Sequence, residues 1–395
     1  MKLIYKRVEG EIPPIVLPTS KSLANRLLIA QAISQHSFAI DGLSEAKDTK
    51  ILQQALASDE SLLDVGMAGT AFRFLTALCA SKEGKVVLTG ADRMKERPIK
   101  ILVEQLRNLG ASIRYLEKEG YPPLEIHGQK LQGGSIAVDG SISSQYITAL
   151  LLIGPSLEGG LTLELKGKVV STPYIEMTVE TMRRLGVNIS WEGNRIEVGA
   201  GDYHSEKALV MQGDWSSAAF FYQMALFACK ELSIKGLQKD SLQGDRRCAE
   251  LFEVFGIETV YGPEGVRLHL ASTPDFEEYT SEMEDCRDLI PSIAVAASQR
   301  LKKTVIHGVS TLRIKECDRV HALKTELARF GVRLEEIGEE TIVIHQSNQH
   351  QHEGATLEFY NDHRMAMCLA PLAALYSSLE LNQKEVVEKS FPSFW

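Results

Sequence analysis

The sequence predicts an α/β protein in two domains, built from a repeated βα-ββ unit. Four times an amphipathic helical pattern runs into an aromatic-or-leucine plus glycine stop, at Leu109-Gly110, Leu185-Gly186, Phe255-Gly256 and Phe330-Gly331. These glycines recur every 70 to 76 residues, so one unit of near-constant length repeats along the chain. After each stop the apolar period changes from helical to two, as a β-hairpin requires. At 395 residues the chain also exceeds what one hydrophobic core usually supports, and 44% hydrophobic residues suffice for two.

Taken in order, the elements explain themselves locally. Pro18-Thr19-Ser20-Lys21-Ser22-Leu23-Ala24-Asn25-Arg26 leads into an apolar helical run from Leu27 to Ile33. Ser20 or Ser22 can cap that helix, and Ser22 and Arg26 share one face of its first turn. Basic residues there oppose the helix dipole; a bound anion would give them a reason, and a capped surface helix is the alternative. Gly66-Met67-Ala68-Gly69-Thr70-Ala71-Phe72-Arg73 is a second helix entry, with glycines that let a backbone approach a ligand closely. Met94-Lys95-Glu96-Arg97-Pro98 sets two cations before a helix-starting proline, or forms an exposed loop. The helix closing at Leu109-Gly110 is followed by the hairpin of Ser112 to Tyr115 with Leu124 to Ile126.

Ser143-Ser144-Gln145 caps the very apolar segment Tyr146 to Ile153, and Gly213-Asp214-Trp215-Ser216-Ser217 caps another helix. Ile175, Val179, Met182 and Leu185 mark the helix before the second stop, and Val320, Leu323, Leu327 and Phe330 the one before the fourth. Glu258 to Tyr261 pairs with Val266 to Leu270 after the third. Leu312-Arg313-Ile314-Lys315-Glu316-Cys317-Asp318-Arg319 mixes acids and bases at the mouth of the last of these helices. Phe359-Tyr360-Asn361-Asp362-His363-Arg364-Met365-Ala366-Met367 sets a charged pair at the head of an almost wholly apolar helix. Both segments demand partners for their charges, either ligands or a structural ion-pair network.

Composition removes several function classes. A net charge of −9 argues against a general nucleic-acid or anionic-membrane surface, so any anion must be held locally. The first residues lack a signal peptide's apolar core, and the longest apolar run, Ile147 to Leu157, is broken by Gly154 and Pro155. These features predict a soluble cytoplasmic protein. Cys79, Cys229, Cys248, Cys286, Cys317 and Cys368 are scattered without a C-x-x-C pair, which suits reduced thiols and no structural metal. The His345 to His352 tract follows a strand in a polar stretch and is predicted to be a solvated loop. No P-loop, dinucleotide fingerprint, nucleophile elbow or H-E-x-x-H motif occurs. What remains is a site for small polyanions.

Together, Ser20-Lys21-Ser22 with Asn25-Arg26, Ala68-Gly69-Thr70 with Arg73, Arg93 to Pro98, Ser143-Ser144-Gln145, Arg313 to Glu316 with Asp318-Arg319, and Asn361 to Met367 closely resemble the 5-enolpyruvylshikimate-3-phosphate synthases. The match runs in order from Pro18 to Lys389-Ser390-Phe391-Pro392. The resemblance implies a two-domain inside-out α/β barrel, each domain of three βα-ββ units with helices gathered inside. It places the first domain at residues 14–212 and the second at 1–13 and 213–395. It also implies no cofactor, no metal, a monomer, and sensitivity of the family to glyphosate, while cations on both halves of the chain, which repel without ligand, predict substrate-coupled domain closure.

The implied reaction moves the enolpyruvyl group of phosphoenolpyruvate to the 5-hydroxyl of shikimate 3-phosphate. Carried over position by position, Lys21, Ser22, Arg26, Ser143, Ser144, Gln145, Ser171, Tyr174, Asp288 and Lys315 hold shikimate 3-phosphate. Lys21, Gly69, Arg97, Gln145, Arg319, Arg364 and Lys389 hold phosphoenolpyruvate. Glu316 exchanges the proton at the methylene carbon and Asp288 takes the hydroxyl proton, with Lys21 and His363 assisting. The chain departs from the family pattern at Met67, where many members carry asparagine, at Phe74, where many have proline, and at Thr311, where some have a substrate-binding asparagine. Its acid Asp288 sits three residues before Pro291, whereas other members place it directly after the proline, here Ser292. The related UDP-N-acetylglucosamine enolpyruvyl transferases usually have a mobile-loop cysteine near Arg93 to Pro98, and none stands there. A non-catalytic anion-binding scaffold would keep the repeats without needing Asp288 and Glu316.

Overall fold

The computed structural model describes residues 1–6, 9–36, 38–141, 143–272, 276–346, 355–376 and 378–395. It divides into two compact units, Ser20–Met211 and Met1–Thr19 with Gln212–Trp395.

Among the described residues, four sheets of four strands share one topology, strand–helix–strand–helix–hairpin. In the Ser20–Met211 unit, Leu62–Asp64 runs parallel to Gly84–Thr89, and the hairpin Ser112–Tyr115/Leu124–Gly128 adds antiparallel through its second strand. Gly134–Asp139, Leu161–Lys166, Ile189–Glu192 and Arg195–Val198 repeat that order. In the other unit Glu278–Glu282, Lys303–His307, Arg333–Ile337 and Thr341–His345 do so again. The fourth copy takes its first strand, Ile15–Val16, from far upstream and pairs it in parallel with Leu232–Lys235, beside the hairpin Ile257–Gly262/Gly265–Leu270. That pairing puts segment 14–19 with the 212–395 unit, although the sequence reading changes domain at residue 14. Each unit also has a smaller sheet: Ile40–Asp41 with Leu209–Val210 in one, Lys2–Ile4, Ser378–Leu381 and Thr356–Leu357 in the other.

The glycine stops stand where the topology needs them. Gly110, Gly186, Gly256 and Gly331 have φ of +98°, +81°, +86° and +72°, the left-handed position that turns each helix into its hairpin. The four marker side chains before the second stop, and the four before the fourth, are all buried.

Strands show one apolar face, and the helices take the inside. Leu161, Leu163 and Leu165 are buried while Glu164 and Lys166 between and after them are exposed. Nine residues of helix Ser144–Ile153 are buried, and it packs between Gly69–Ser81 and Thr172–Arg184. A helix apolar all round has no face for solvent and must be central. Trp215–Ala228, Ile290–Arg300 and His363–Leu369 play that part in the other unit.

One expectation changes. Pro98 does not start a helix: Asp92–Lys95 is a short turn of helix, and the next begins at Lys100. The Tyr146 hydroxyl donates to the Pro98 carbonyl and the Ile99 amide to Gly120, so this link's backbone is committed elsewhere. His345 ends its strand, but residues 347–352 of the predicted loop lie outside the described residues. No helix among the described residues is long and apolar enough to cross a membrane.

Candidate functional site

In the Ser20–Met211 unit most of the assigned groups stand where four helices begin, Lys21–Ile33, Gly69–Ser81, Ser144–Ile153 and Thr172–Arg184. Ser20 caps helix Lys21–Ile33 through the Leu23 amide, which sets Lys21 in its first turn. Lys21 Nζ lies 3.1 Å from Asp48, a nearly buried carboxylate in the first turn of Lys47–Ala57. One turn further, Arg26 is 3% exposed. Its guanidinium donates to the Ser22 carbonyl at 2.7 Å, the Tyr174 carbonyl at 2.9 Å and Thr178 Oγ1 at 2.8 Å. These partners are neutral, and Arg26 has no carboxylate partner among the described residues. Burial pulls its pKa down to about 10, so it stays charged at neutral pH and wants an anion. Phe74 stands 5.9 Å from Arg26 Cζ, so the residue that departs from the family's proline gives this cation an aromatic face.

A second group forms around Gly69, the first residue of helix Gly69–Ser81. The Arg97 guanidinium packs against it, 9% exposed, and its Nε and Nη1 find no hydrogen-bond partner among the described residues. Buried guanidinium donors left unpaired by protein mark a place for an anion. Gln145 donates to Thr70 Oγ1 at 3.1 Å, and Ser143 caps the helix that carries Ser144 and Gln145. Ser171 takes left-handed φ at +56° as it turns the chain into helix Thr172–Arg184, which carries Tyr174. Tyr174 is half-buried.

In the other unit the assigned groups are joined by charge. Arg319, 1% exposed, opens helix Arg319–Ala328. It reaches Asp362 at 2.7 Å, Glu316 at 3.2 Å and Asp288 at 3.4 Å. Burial pulls its pKa down, but the three carboxylates together raise it above the usual arginine value. Arg364 Nη2 lies 2.8 Å from Asp288 and Lys389 Nζ 3.5 Å from Glu316. Arg319, Arg364 and Lys389 thus share three acids, and each of the two acids assigned to proton transfer is held by at least two cations. His363, buried, has Nδ1 3.7 Å from Asp362. Lys315 is half-buried just after the turn Ser310–Ile314. The Thr311 hydroxyl, at another departure from the pattern, accepts from Arg287 at 2.9 Å.

Three residues beside the assigned groups, one in the Ser20–Met211 unit and two in the other, were not assigned from the sequence. Asp362 caps helix His363–Leu369 through the Arg364 amide at 2.9 Å while pairing with Arg319; an aspartate directly before a helix head was its signal. Asp48 carried no comparable signal. Asp245, in the turn Gly244–Arg247, is buried and accepts from the Ser216 hydroxyl. Burial and then the nearby Asp288 raise its pKa to about 6, and only its fold position reveals this.

Comparison with known proteins shows the family. A family model described as EPSP synthase (3-phosphoshikimate 1-carboxyvinyltransferase) matches residues 51–395. A 3-phosphoshikimate 1-carboxyvinyltransferase of Bacteroides fragilis is 39% identical over 383 residues, covering 96% of this chain and 93% of its own. Its counterpart in Pasteurella multocida is 36% identical over 422 residues, covering 98% and 94%. In fold, the chain is similar to a solved EPSP synthase from Acinetobacter baumannii, with a TM-score of 0.77 at 22% identity, over 96% of this chain and 93% of that one. With the family model covering most of its length and such relatives aligned nearly end to end, the chain belongs to the EPSP synthase family.

Proposed function

We propose that this chain transfers the enolpyruvyl group of phosphoenolpyruvate to the 5-hydroxyl of shikimate 3-phosphate, giving 5-enolpyruvylshikimate 3-phosphate and phosphate. That step belongs to the shikimate pathway of aromatic amino acid biosynthesis. The observation that carries the reading is the Arg319 network, in which one buried guanidinium holds Asp288, Glu316 and Asp362 while Arg364 pairs with Asp288 and Lys389 with Glu316, the two proton-transfer candidates.

The chemistry is an addition followed by an elimination. A proton goes to the methylene carbon of phosphoenolpyruvate, the 5-oxygen bonds to its neighbour, and the hydroxyl proton leaves. The tetrahedral ketal then loses a proton from the new methyl group and expels phosphate, restoring the double bond. In our reading Glu316 gives and takes back the carbon-bound proton, Asp288 takes the hydroxyl proton, and Lys21 and His363 assist. Arg97, Arg319, Arg364 and Lys389, with Lys21, Gly69 and Gln145, hold phosphoenolpyruvate and offset charge in the intermediate. Ser22, Arg26, Ser143, Ser144, Ser171, Tyr174 and Lys315, with Lys21, Gln145 and Asp288, hold shikimate 3-phosphate. Arginine is suited to these loads because its fork binds phosphate and carboxylate through paired hydrogen bonds.

The protein acts in this reading as a cytoplasmic monomer on two small molecules, without nucleic acid, membrane, metal or cofactor. Phosphate release tests the reaction. Phosphoenolpyruvate with shikimate 3-phosphate should release it, and phosphoenolpyruvate with UDP-N-acetylglucosamine should not. Silence with the first acceptor, or turnover with the second, would overturn the assignment.

A further inference from the structure

We infer that Glu326 is a positioning residue for phosphoenolpyruvate, acting through Tyr360 to hold the turn that carries Asp362 and Arg364. The substrate named here rests on the functional reading above; the clamp itself rests on geometry. Glu326 stands seven residues after Arg319 on helix Arg319–Ala328, two turns on and therefore on the same face. Its side chain is fully buried, a costly place for a carboxylate unless its oxygens are well used.

They are used on the segment that leads to Asp362. Oε1 accepts from the Tyr360 hydroxyl at 2.7 Å and Oε2 from the Glu358 amide at 3.2 Å. Arg329, on the next turn, donates to Oε2 at 2.9 Å. The residues gripped here are followed by an unfavourable backbone. Tyr360 and Asn361 have φ of +53° and +56°, two successive left-handed positions without a glycine. The Asn361 amide is tied to Gln383 Oε1 at 3.1 Å, and the next residue, Asp362, takes Arg319 and caps the helix that carries Arg364.

One helix therefore grips both sides of the strained turn, through Arg319 on Asp362 and Glu326 on Tyr360 and Glu358. A carboxylate kept only as a stabilising ion pair would need Arg329 alone. Two of the three groups hydrogen-bonded to Glu326 instead belong to the turn. Releasing them lets Tyr360 and Asn361 relax toward ordinary φ, which moves Asp362 and swings Arg364 away from Asp288.

Tyr360→Phe removes one hydrogen bond and leaves the carboxylate with its other partners, and Glu326→Ala removes the whole grip. Tyr222→Phe is the control: its hydroxyl meets Thr259 Oγ1 at 2.9 Å in the same unit, away from the turn. Tyr360→Phe should speed amide hydrogen exchange at residues 361–364 and raise KM for phosphoenolpyruvate about tenfold. Calorimetric affinity for shikimate 3-phosphate should stay within about twofold of wild type. Glu326→Ala should move both readouts further, and Tyr222→Phe neither. If Tyr360→Phe behaves like Tyr222→Phe, or weakens both substrates equally, Glu326 does not position this turn. Should wild-type protein release no phosphate from the two substrates, the functional reading fails, and exchange at 361–364 alone decides the clamp.

Discussion

Arg97 lays its guanidinium over Gly69 so closely that a methyl group there would stand 2.9 Å from Cζ and 3.0 Å from Nη2. Gly69 itself has ordinary helical backbone, so alanine suits the chain and even favours the helix. The conflict falls on one side chain, and that side chain carries the unpaired buried donors.

Gly69→Ala should therefore fold normally and displace Arg97. KM for phosphoenolpyruvate should rise by roughly ten- to a hundredfold, as expected for loss of charge-assisted hydrogen bonds, while shikimate 3-phosphate affinity changes little. Inhibition by glyphosate should weaken in parallel. Steady-state kinetics with each substrate varied in turn checks this; equal rises in both KM values would count against an Arg97 role confined to phosphoenolpyruvate.

Glu316→Gln tests the proton-transfer assignment. Glutamine keeps the size and can still accept a hydrogen bond from Arg319 or Lys389, but it cannot exchange a proton. Shikimate 3-phosphate should bind as before while kcat falls by roughly 10²–10⁴-fold. Incorporation of solvent deuterium into the methylene group of phosphoenolpyruvate should fall with it. Wild-type exchange in a variant that binds normally would move the role to Lys21 or Asp288.

Asp318 is two residues from Glu316 and does different work. Its Oδ1 accepts from the His321 amide at 3.0 Å, capping helix Arg319–Ala328, and Arg313 approaches no closer than 3.8 Å. Asp318→Ala should lower stability by about 1 kcal/mol, and Asp318→Asn by much less, because asparagine is an equally good cap. Urea unfolding distinguishes the two. A large loss in Asp318→Asn would mean that charge, not capping, is what this residue supplies.

Asp245 makes stability depend on pH in an unusual direction. Its pKa of about 6 when folded exceeds the ordinary 3.8 because burial, and then Asp288, oppose the charge. A raised pKa contributes stability that is whole below pH 3.8 and is lost as pH climbs through 6. At pH 8 the ionised carboxylate should cost roughly 3 kcal/mol relative to a neutral side chain. Asp245→Asn, which can still accept from Ser216, should unfold at higher urea than wild type at pH 8 and at the same urea near pH 3. A gap that is constant across that range would show that Asp245 does not titrate in it. Asp214, Asp288, Arg364, Cys248 and Cys286 are among the charged or titratable groups around it.

The sequence by itself determined the repeat, the caps and the polar motifs. A glycine stop, a serine or aspartate before an apolar run, and the change of period from helix to hairpin are decided within a few residues of chain. Local backbone energies suffice to read them, and Gly110, Gly186, Gly256 and Gly331 take the left-handed φ that their position predicts. Of the two readings open at Pro98, helix start or loop, the local sequence does not choose, because the bonds that delay the helix to Lys100 come from Tyr146 and Gly120. Tertiary structure alone decided which charges meet. Arg26 finds Thr178 across 152 positions, Arg319 finds Asp362 across 43, and Arg364 finds Asp288 across 76. It also decided what burial does to each group: Arg26 lowered among neutral oxygens, Arg319 raised among carboxylates, Asp245 pushed toward its neutral form. Such energies depend on how far water is excluded and which opposite charge lies within a few ångströms, and both are properties of the packed chain.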